Sequence, residues 1–107
     1  MNRSAKVYMQ QLYCGRIFET DSGYSFEYDV SYLANTIAKP ISKNLPLQNT
    51  SYTSNTLFPF FDGLIPEGWL LDIAHNKWNI KQTDRMGLLL ACCKDCIGAV
   101  SIEDEKL

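Results

Sequence analysis

A chain of 107 residues with 46% hydrophobic and 21% charged residues has the size and composition of one folded domain, which excludes an intrinsically disordered chain. Ten basic and twelve acidic residues give a net charge of −2, and no run of Lys or Arg is long enough to follow a phosphate backbone, so we expect no direct nucleic-acid binding. Since the sequence shows no apolar leader and no run of about 18 apolar residues, we expect a cytoplasmic protein that does not cross a membrane.

The first 28 residues predict a β-meander. Residues 5–20 are rich in β-branched and aromatic side chains and read as two strands around a short connection near residues 10–13. The connection lacks an Asn-Gly or Asp-Gly pair, so its turn type stays open. Residues 21–23, Asp-Ser-Gly, form a clearer turn signal. The third strand, residues 24–28, alternates aromatic and polar side chains, which predicts a half-buried antiparallel sheet.

Residues 29–56 predict a short helix followed by irregular chain. Asp29 is suited to cap a helix over residues 29–34. Pro40 favours extended backbone, and we expect a short strand over residues 41–47. The polar stretch 48–56 has no apolar periodicity, which indicates a solvated loop.

Two further helices are predicted between residues 57 and 80. Apolar residues at three- and four-residue spacing predict the first over residues 57–65, with Pro59 in its first turn. Pro66 closes that helix and suits the first turn of the next. The apolar stripe of the second helix consists of Leu70, Ile73, Ala74 and Trp78. Trp69 and Asp72 fall on the opposite side, so we expect Trp69 to be exposed.

The C-terminal part predicts a buried helix and a closing strand. Thr83 is the expected N-cap of a helix that runs from residue 84 to about residue 93, and residues 98–103 alternate as a strand. Together the elements predict a single domain over residues 1–107 with an α+β fold. In it, a small N-terminal antiparallel sheet or meander packs with three to four short helices and a closing C-terminal strand.

Four cysteines in a chain without a secretion signal are expected to stay reduced. Cys93 and Cys96 form a CxxC motif, which alone suits half a zinc site or a redox pair. A zinc site would need Cys14 and His75 to converge on the motif, and a redox motif should begin a helix rather than follow one. We therefore expect neither a metal nor another cofactor, although a small metal or redox protein remains the third functional hypothesis.

Asp62 and Glu67 are two carboxylates close in sequence, which raises the question of acid–base catalysis. No histidine or nucleophile is placed in sequence to complete such a site. Carboxylates beside a Gly-Pro turn more often cap helices. We therefore expect no catalytic residue.

Several sequence blocks resemble the N-terminal subdomain of HipA-type serine/threonine kinases, the toxins of bacterial toxin–antitoxin systems. The blocks lie in the same order over nearly the whole chain: Val7-Tyr8 before Gly15, residues 25–28 after Gly23, Ile41-Ser42 before residues 45–47, the FFDGLIPEG block at 60–68 and the DCIGAV block at 95–100. Two departures stand out. Gln10-Gln11 replaces the usual Asn-Gly, and Cys93 replaces a usual Gly, which indicates that the CxxC motif is incidental.

The resemblance implies a binding protein rather than a kinase. The sequence contains no Gly-rich phosphate loop, no catalytic-loop Asp with a downstream Asn and no Asp-Phe-Gly, so phosphoryl transfer lacks its base and metal ligands. A separate copy of the subdomain resembles HipS, the antitoxin family of three-gene HipBST systems. That resemblance implies binding and neutralisation of a HipT-like serine/threonine kinase, in a ternary complex with a HipB-like DNA-binding protein. The alternative is a structural subunit that completes the kinase fold or bridges it to the HipB-like repressor.

The partner-binding residues predicted for such a role centre on Trp69. Interface energy concentrates in a few Trp, Tyr or Arg anchors, and Trp69 is predicted to lie away from the apolar stripe of its helix. The flanking residues included in the predicted site are Pro66, Glu67, Gly68 and Asp72.

Overall fold

The computed structural model describes residues 2–65, 81, 83–92 and 99–105. Within these residues the strands are Ser4–Met9 (β1), Leu12–Thr20 (β2), Gly23–Tyr28 (β3), Tyr52–Ser54 (β4) and Val100–Asp104 (β5). The helices of the same residues are Val30–Leu33 (α1), Pro59–Asp62 (α2) and Arg85–Cys92 (α3). The strands form an antiparallel sheet in the order β4-β3-β2-β1-β5. This architecture confirms the predicted α+β fold, including the N-terminal meander and the closing strand.

The β1–β2 hairpin turns through Gln10 and Gln11, whose φ angles are 50° and 71°. Positive φ at both central residues is the requirement of a type I′ turn, whose twist matches that of the flanking strands. The β1–β2 hairpin therefore has the backbone of a type I′ turn. Glutamine adopts this region less readily than Asn or Gly, so the strand pairing on either side must hold the turn in place.

An irregularity in the β1–β2 register places a cysteine in the core. Val7 pairs with Gly15 and the next residue of β1 pairs with Tyr13, so Cys14 has no partner across the ladder. Cys14 is therefore the extra residue of a β-bulge, and its side chain is fully buried. Gly15 is needed beside it, because a Cβ there would lie 2.2 Å from the Glu27 carbonyl oxygen of β3.

Helices α2 and α3 contribute to the core together with the inner face of the sheet. Phe26 of β3 and Phe61 of α2 are fully buried, with ring centroids 5.4 Å apart. The other large side chains that are fully buried are Val7, Cys14, Ile17, Met86, Leu88, Leu89 and Ile102. Three of them lie on α3, which confirms that the helix predicted over 84–93 is deeply buried.

Residues 41–47, predicted as a strand, form no strand. Ser42 and Leu45 form an isolated antiparallel β-bridge that belongs to no strand. A tyrosine holds the segment instead: the Tyr28 hydroxyl donates to the Leu45 carbonyl and accepts from the Ile41 N–H at 3.1 Å. The prediction was wrong because a side chain satisfies backbone groups that a neighbouring strand would otherwise pair.

The polar stretch 48–56, predicted as a solvated loop, contains strand β4. This strand pairs antiparallel with the first half of β3. The hydroxyl of the buried Ser25 adds a hydrogen bond to the Tyr52 carbonyl at 2.9 Å. Backbone pairing defines this short strand, so its side chains need not show the apolar alternation on which the prediction relied.

The first two helices begin where local signals place them. Asp29 is the N-cap of α1, as predicted, and its Oδ2 accepts from the Tyr32 N–H at 3.2 Å. Pro59 lies in the first turn of helix α2, as predicted, but the helix begins at Pro59 rather than at residue 57 and covers four residues rather than residues 57–65. Proline suits a helix start because its missing N–H would have no intrahelical partner.

Helix α3 begins one residue later than predicted, because Asp84 rather than Thr83 caps it. Asp84 Oδ1 accepts from the Gly87 N–H at 3.1 Å. The closing strand was predicted over residues 98–103 and is observed as β5. The helix predicted after Pro66 lies outside the described residues. Among the helices that the structure describes, none has the length and apolar character needed to span a membrane.

Candidate partner-binding surface

The residues predicted to bind a partner, Pro66, Glu67, Gly68, Trp69 and Asp72, lie outside the part of the chain that the structure describes. The same is true of His75, Trp78, Cys93 and Cys96. What the structure describes is the framework on either side: the chain up to residue 65, and the chain again at residues 81 and 83–92.

On the N-terminal side of this gap, aromatic residues anchor the chain in the core. The ring centroid of Phe61 lies 5.3 Å from that of Phe60 and 6.2 Å from that of Phe58. Ile65, the last described residue before the gap, is also buried. Each such side chain contributes about 1.5–3 kcal/mol through apolar burial, so the chain is firmly held where it approaches residue 66.

On the C-terminal side, helix α3 is equally well anchored. Met86, Leu88 and Leu89 are fully buried. Asp84 caps the first turn through the Gly87 N–H. The two sides of the gap are therefore held by one common core.

An ion pair joins α2 to α3 at the surface. Arg85 Nε lies 2.6 Å from Asp62 Oδ1, and the two side chains are 31% and 44% exposed. Asp62 ends α2 and Arg85 begins α3. The pair therefore links the last helix before residues 66–80 to the first described helix after them.

Arg3 links the sheet to the start of α3. Its Nε and Nη2 donate to the two carboxylate oxygens of Glu19 at 2.8 and 3.0 Å. Its Nη1 and Nη2 donate to those of Asp84 at 3.0 and 2.7 Å. Hydrogen bonds from Arg3 lower the pKa of both carboxyls below their ordinary values. No local pattern in the sequence indicates this network, because the two carboxylates are 16 and 81 residues from Arg3.

Two groups with potential chemical roles among the described residues are the Asp62 carboxylate and the Cys14 thiol. Asp62, one of the two carboxylates considered for acid–base catalysis, is engaged by Arg85. Desolvation, and then the charge of Asp29, raises the pKa of the Cys14 thiol to about 12, so this cysteine is a poor nucleophile near neutral pH. In the residues that the structure describes, no three His, Cys, Asp or Glu side chains are grouped to hold a metal ion.

A groove with an apolar rim lies at the end of the sheet that carries the β1–β2 turn. Its volume is about 410 Å³, and it is lined by residues of this turn and of the segment after α1. Leu12 and Ile37 on its rim are 44% and 67% exposed. Neither residue is marked by a sequence pattern, because a single apolar residue at the start of a strand or in a loop carries no periodic signal.

Comparison with known proteins places this fold among its relatives. Residues 5–103 match the family model described as the HipA N-terminal domain. An uncharacterized protein of Haemophilus influenzae is 34% identical over 104 residues, which are 97% of this chain and 94% of that protein. A solved structure of the N-terminal domain of HipA toxin is similar with a TM-score of 0.71 and 27% identity, covering 97% of this chain and 93% of that chain.

The matched region reaches from β1 to β5 and includes the described sheet except for its terminal residues Ser4 and Asp104. It also contains the two sequence blocks at 60–68 and 95–100 on which the resemblance most depended. The resemblance to the HipA N-terminal subdomain is thus confirmed. This chain belongs to the HipA N-terminal domain family.

Proposed function

We propose that this protein is an antitoxin that binds a HipA-like serine/threonine kinase of the HipT type and neutralises it without catalysis. One observation carries the proposal: the chain corresponds almost end to end to the N-terminal domain of HipA toxin, at 97% and 93% coverage. A domain with this fold has surfaces suited to pack against the remainder of such a kinase. The proposal places the protein in the cytoplasm, as a single domain without a cofactor.

The Haemophilus influenzae relative supports a separate rather than a fused domain. The alignment covers 94% of that protein, so that protein consists of little beyond this domain. A kinase that lacks the domain would offer a vacant docking surface for it. A HipB-like DNA-binding protein would complete the assembly, and nucleic-acid contacts would belong to that partner.

We further propose that Trp69 is the anchor of the interface, flanked by Pro66, Glu67, Gly68 and Asp72. The chain is anchored in the core on both sides of this stretch, which supports the assignment. Anchored ends reduce the conformational entropy that the stretch would lose on binding. A tryptophan inserted at the active-site cleft of the kinase would block it by occupying space.

The alternative is a structural subunit that completes the kinase fold or bridges the kinase to the HipB-like repressor. The solved relative favours this alternative in one respect, since it is the N-terminal domain of the toxin itself. Completing a fold predicts stimulation of the kinase, whereas an antitoxin predicts inhibition.

A kinase assay separates the two functions. A purified HipT-like kinase is incubated with ATP with and without an excess of this protein, and autophosphorylation and substrate phosphorylation are followed. Inhibition, together with restored growth when both proteins are co-expressed, supports the antitoxin. Stimulation supports the structural subunit, and the absence of a complex contradicts both.

A further inference from the structure

The groove beside the β1–β2 turn combines exposed apolar side chains with a lysine. Leu12 and Ile37 on its rim are 44% and 67% exposed, and its volume is about 410 Å³. Lys39 is the only charged residue among the described residues that line the groove, and it is exposed as well. Large apolar side chains that are exposed together on one surface mark interaction sites, whereas single ones need no explanation.

Hydrogen bonds hold the part of the groove that carries Ile37 and Lys39. The Asn35 side chain accepts from the Ile37 N–H at 3.0 Å, and the Asn35 carbonyl accepts from the Ala38 N–H at 3.1 Å. The hydroxyl of Tyr32, a buried residue, accepts from the Lys39 N–H at 3.1 Å and donates to the Lys39 carbonyl at 2.7 Å. Ile37 is therefore exposed on a segment whose backbone is fixed, so a partner that covers it removes little conformational entropy.

The rest of the lining comes from the β1–β2 turn, which the sheet holds in place. Met9 pairs with Leu12 across the hairpin, and the Gln10 N–H donates to the Ala99 carbonyl at 2.6 Å. Binding sites are usually formed before their ligand arrives. The hydrogen bonds on both parts of the lining give this groove that property.

The charge of the groove indicates which partner segment it accepts. Arginines form the ion pairs of the described residues, so Lys39 has no acidic partner among them. A carboxylate beside Lys39 would complete an ion pair, whereas a basic residue there would be repelled. An apolar side chain flanked by Asp or Glu therefore complements the groove in both shape and charge.

Binding of a kinase needs more contact surface than one anchor provides, because a specific interface takes about 20–30 residues from each protein. We propose that the groove is a docking site for a segment of the HipT-like kinase in which an apolar side chain is flanked by Asp or Glu. The apolar side chain enters between Leu12 and Ile37, and the carboxylate pairs with Lys39. This inference rests on the proposed function and adds a contact surface to it.

Charge substitutions inside and outside the groove test the docking site. We expect Ile37→Asp and Lys39→Glu each to raise the Kd for a purified HipT-like kinase by about tenfold. The matched controls, Val30→Asp and Lys43→Glu, make the same charge changes at exposed residues outside the groove and should leave Kd unchanged. Calorimetric titration measures Kd, and thermal unfolding checks that Tm changes by no more than about 4 °C.

Two further measurements separate the apolar contact from the ionic one. Ile37→Ala truncates the side chain without adding charge, and it should also weaken binding. The effect of Lys39→Glu should shrink when NaCl is raised from about 0.1 M to about 0.5 M, whereas the effect of Ile37→Ala should persist.

The outcomes separate this inference from the proposed function. Tight binding by the unaltered protein and by all three groove variants overturns the docking site and leaves the proposed function standing. Equal losses in the groove variants and their controls also overturn it, because the overall charge of the domain would then be the cause. Failure of the unaltered protein to bind the kinase overturns the proposed function and this inference together.

Discussion

Gly87 lies in the first turn of α3, where alanine would normally stabilise a helix by about 1 kcal/mol relative to glycine. Here a Cβ would lie 2.4 Å from Asp84 Oδ2 and 3.1 Å from Arg3 Nη1. The carboxylate cannot move aside freely, because Arg3 and the Gly87 N–H hold it. We expect Gly87→Ala to destabilise the protein by about 1 kcal/mol, measured by urea unfolding.

The control for this prediction is the same substitution in an Asp84→Ala background. With the carboxylate gone, Gly87→Ala should be neutral or stabilising. Equal destabilisation in both backgrounds would mean that the crowding arises elsewhere.

Trp69 provides the second test at the scale of one residue. If it anchors the complex, Trp69→Ala should weaken kinase binding by about 2 kcal/mol, or roughly thirtyfold in Kd. It should also reduce growth rescue in co-expression. Leu47→Ala is the matched control, since it truncates an apolar side chain that is 37% exposed elsewhere on the surface. Full protection by a folded Trp69→Ala protein would contradict the anchor assignment.

At the scale of elements, the segment that follows α1 depends on tyrosine hydroxyls. Burial raises the pKa of Tyr28 to about 12, so its hydroxyl keeps the proton that it donates to the Leu45 carbonyl. The hydroxyl also accepts from the Ile41 N–H. Tyr28→Phe leaves both backbone groups unpaired, and we expect a loss of about 1–3 kcal/mol in the free energy of unfolding.

Tyr8→Phe is the matched control for Tyr28→Phe in the same denaturation experiment. The Tyr8 hydroxyl lies 3.4 Å from Glu103 at an exposed site, so water replaces its contact at little cost. Similar losses for the two variants would show that the hydrogen bonds to residues 41 and 45 are unimportant.

The elements that could be predicted are those with local signals. Asp29 caps α1 and Pro59 begins α2 through contacts within a few residues, and the turn at Gly23 separates two strands by its own chemistry. Strand β4 and the Tyr28 contacts with the segment after Pro40 could not be predicted. They depend on partners that only the folded chain brings near.

The candidate site also contains residues that could be predicted from the sequence and residues that could not. The choice of Trp69 followed from helical spacing and from a family resemblance, both of which can be read in the sequence. Arg3, Asp84 and the Asp62–Arg85 pair carried no such signal, because charged residues far apart in sequence give no indication of pairing.

For the whole molecule, the Arg3 network predicts sensitivity to acid. Glu19 and Asp84 have pKa values below their ordinary 4.5 and 3.8, chiefly because Arg3 donates hydrogen bonds to them. Carboxyls whose pKa is lower in the folded state stabilise it above the unfolded pKa, and this contribution disappears as the pH falls through the folded pKa. We expect the free energy of unfolding to decline as the pH falls below about 4.5, as measured by urea unfolding at successive pH values.

The Arg3→Gln variant tests the cause of this acid sensitivity. Without the guanidinium, the two pKa values should return toward their ordinary range, so the variant should be less stable at neutral pH and lose less on acidification. An unchanged pH dependence would assign the acid sensitivity to other carboxyls.

The pairing of β5 with β1 brings opposite ends of the sequence side by side, with Ala5 opposite Asp104. Such long-range pairing folds late, since all residues from β1 to β5 must be synthesised before the two strands can meet. During translation, β1 therefore stays unpaired along one edge until β5 has left the ribosome. Any binding that needs the completed sheet therefore becomes possible only after the chain has been synthesised through β5.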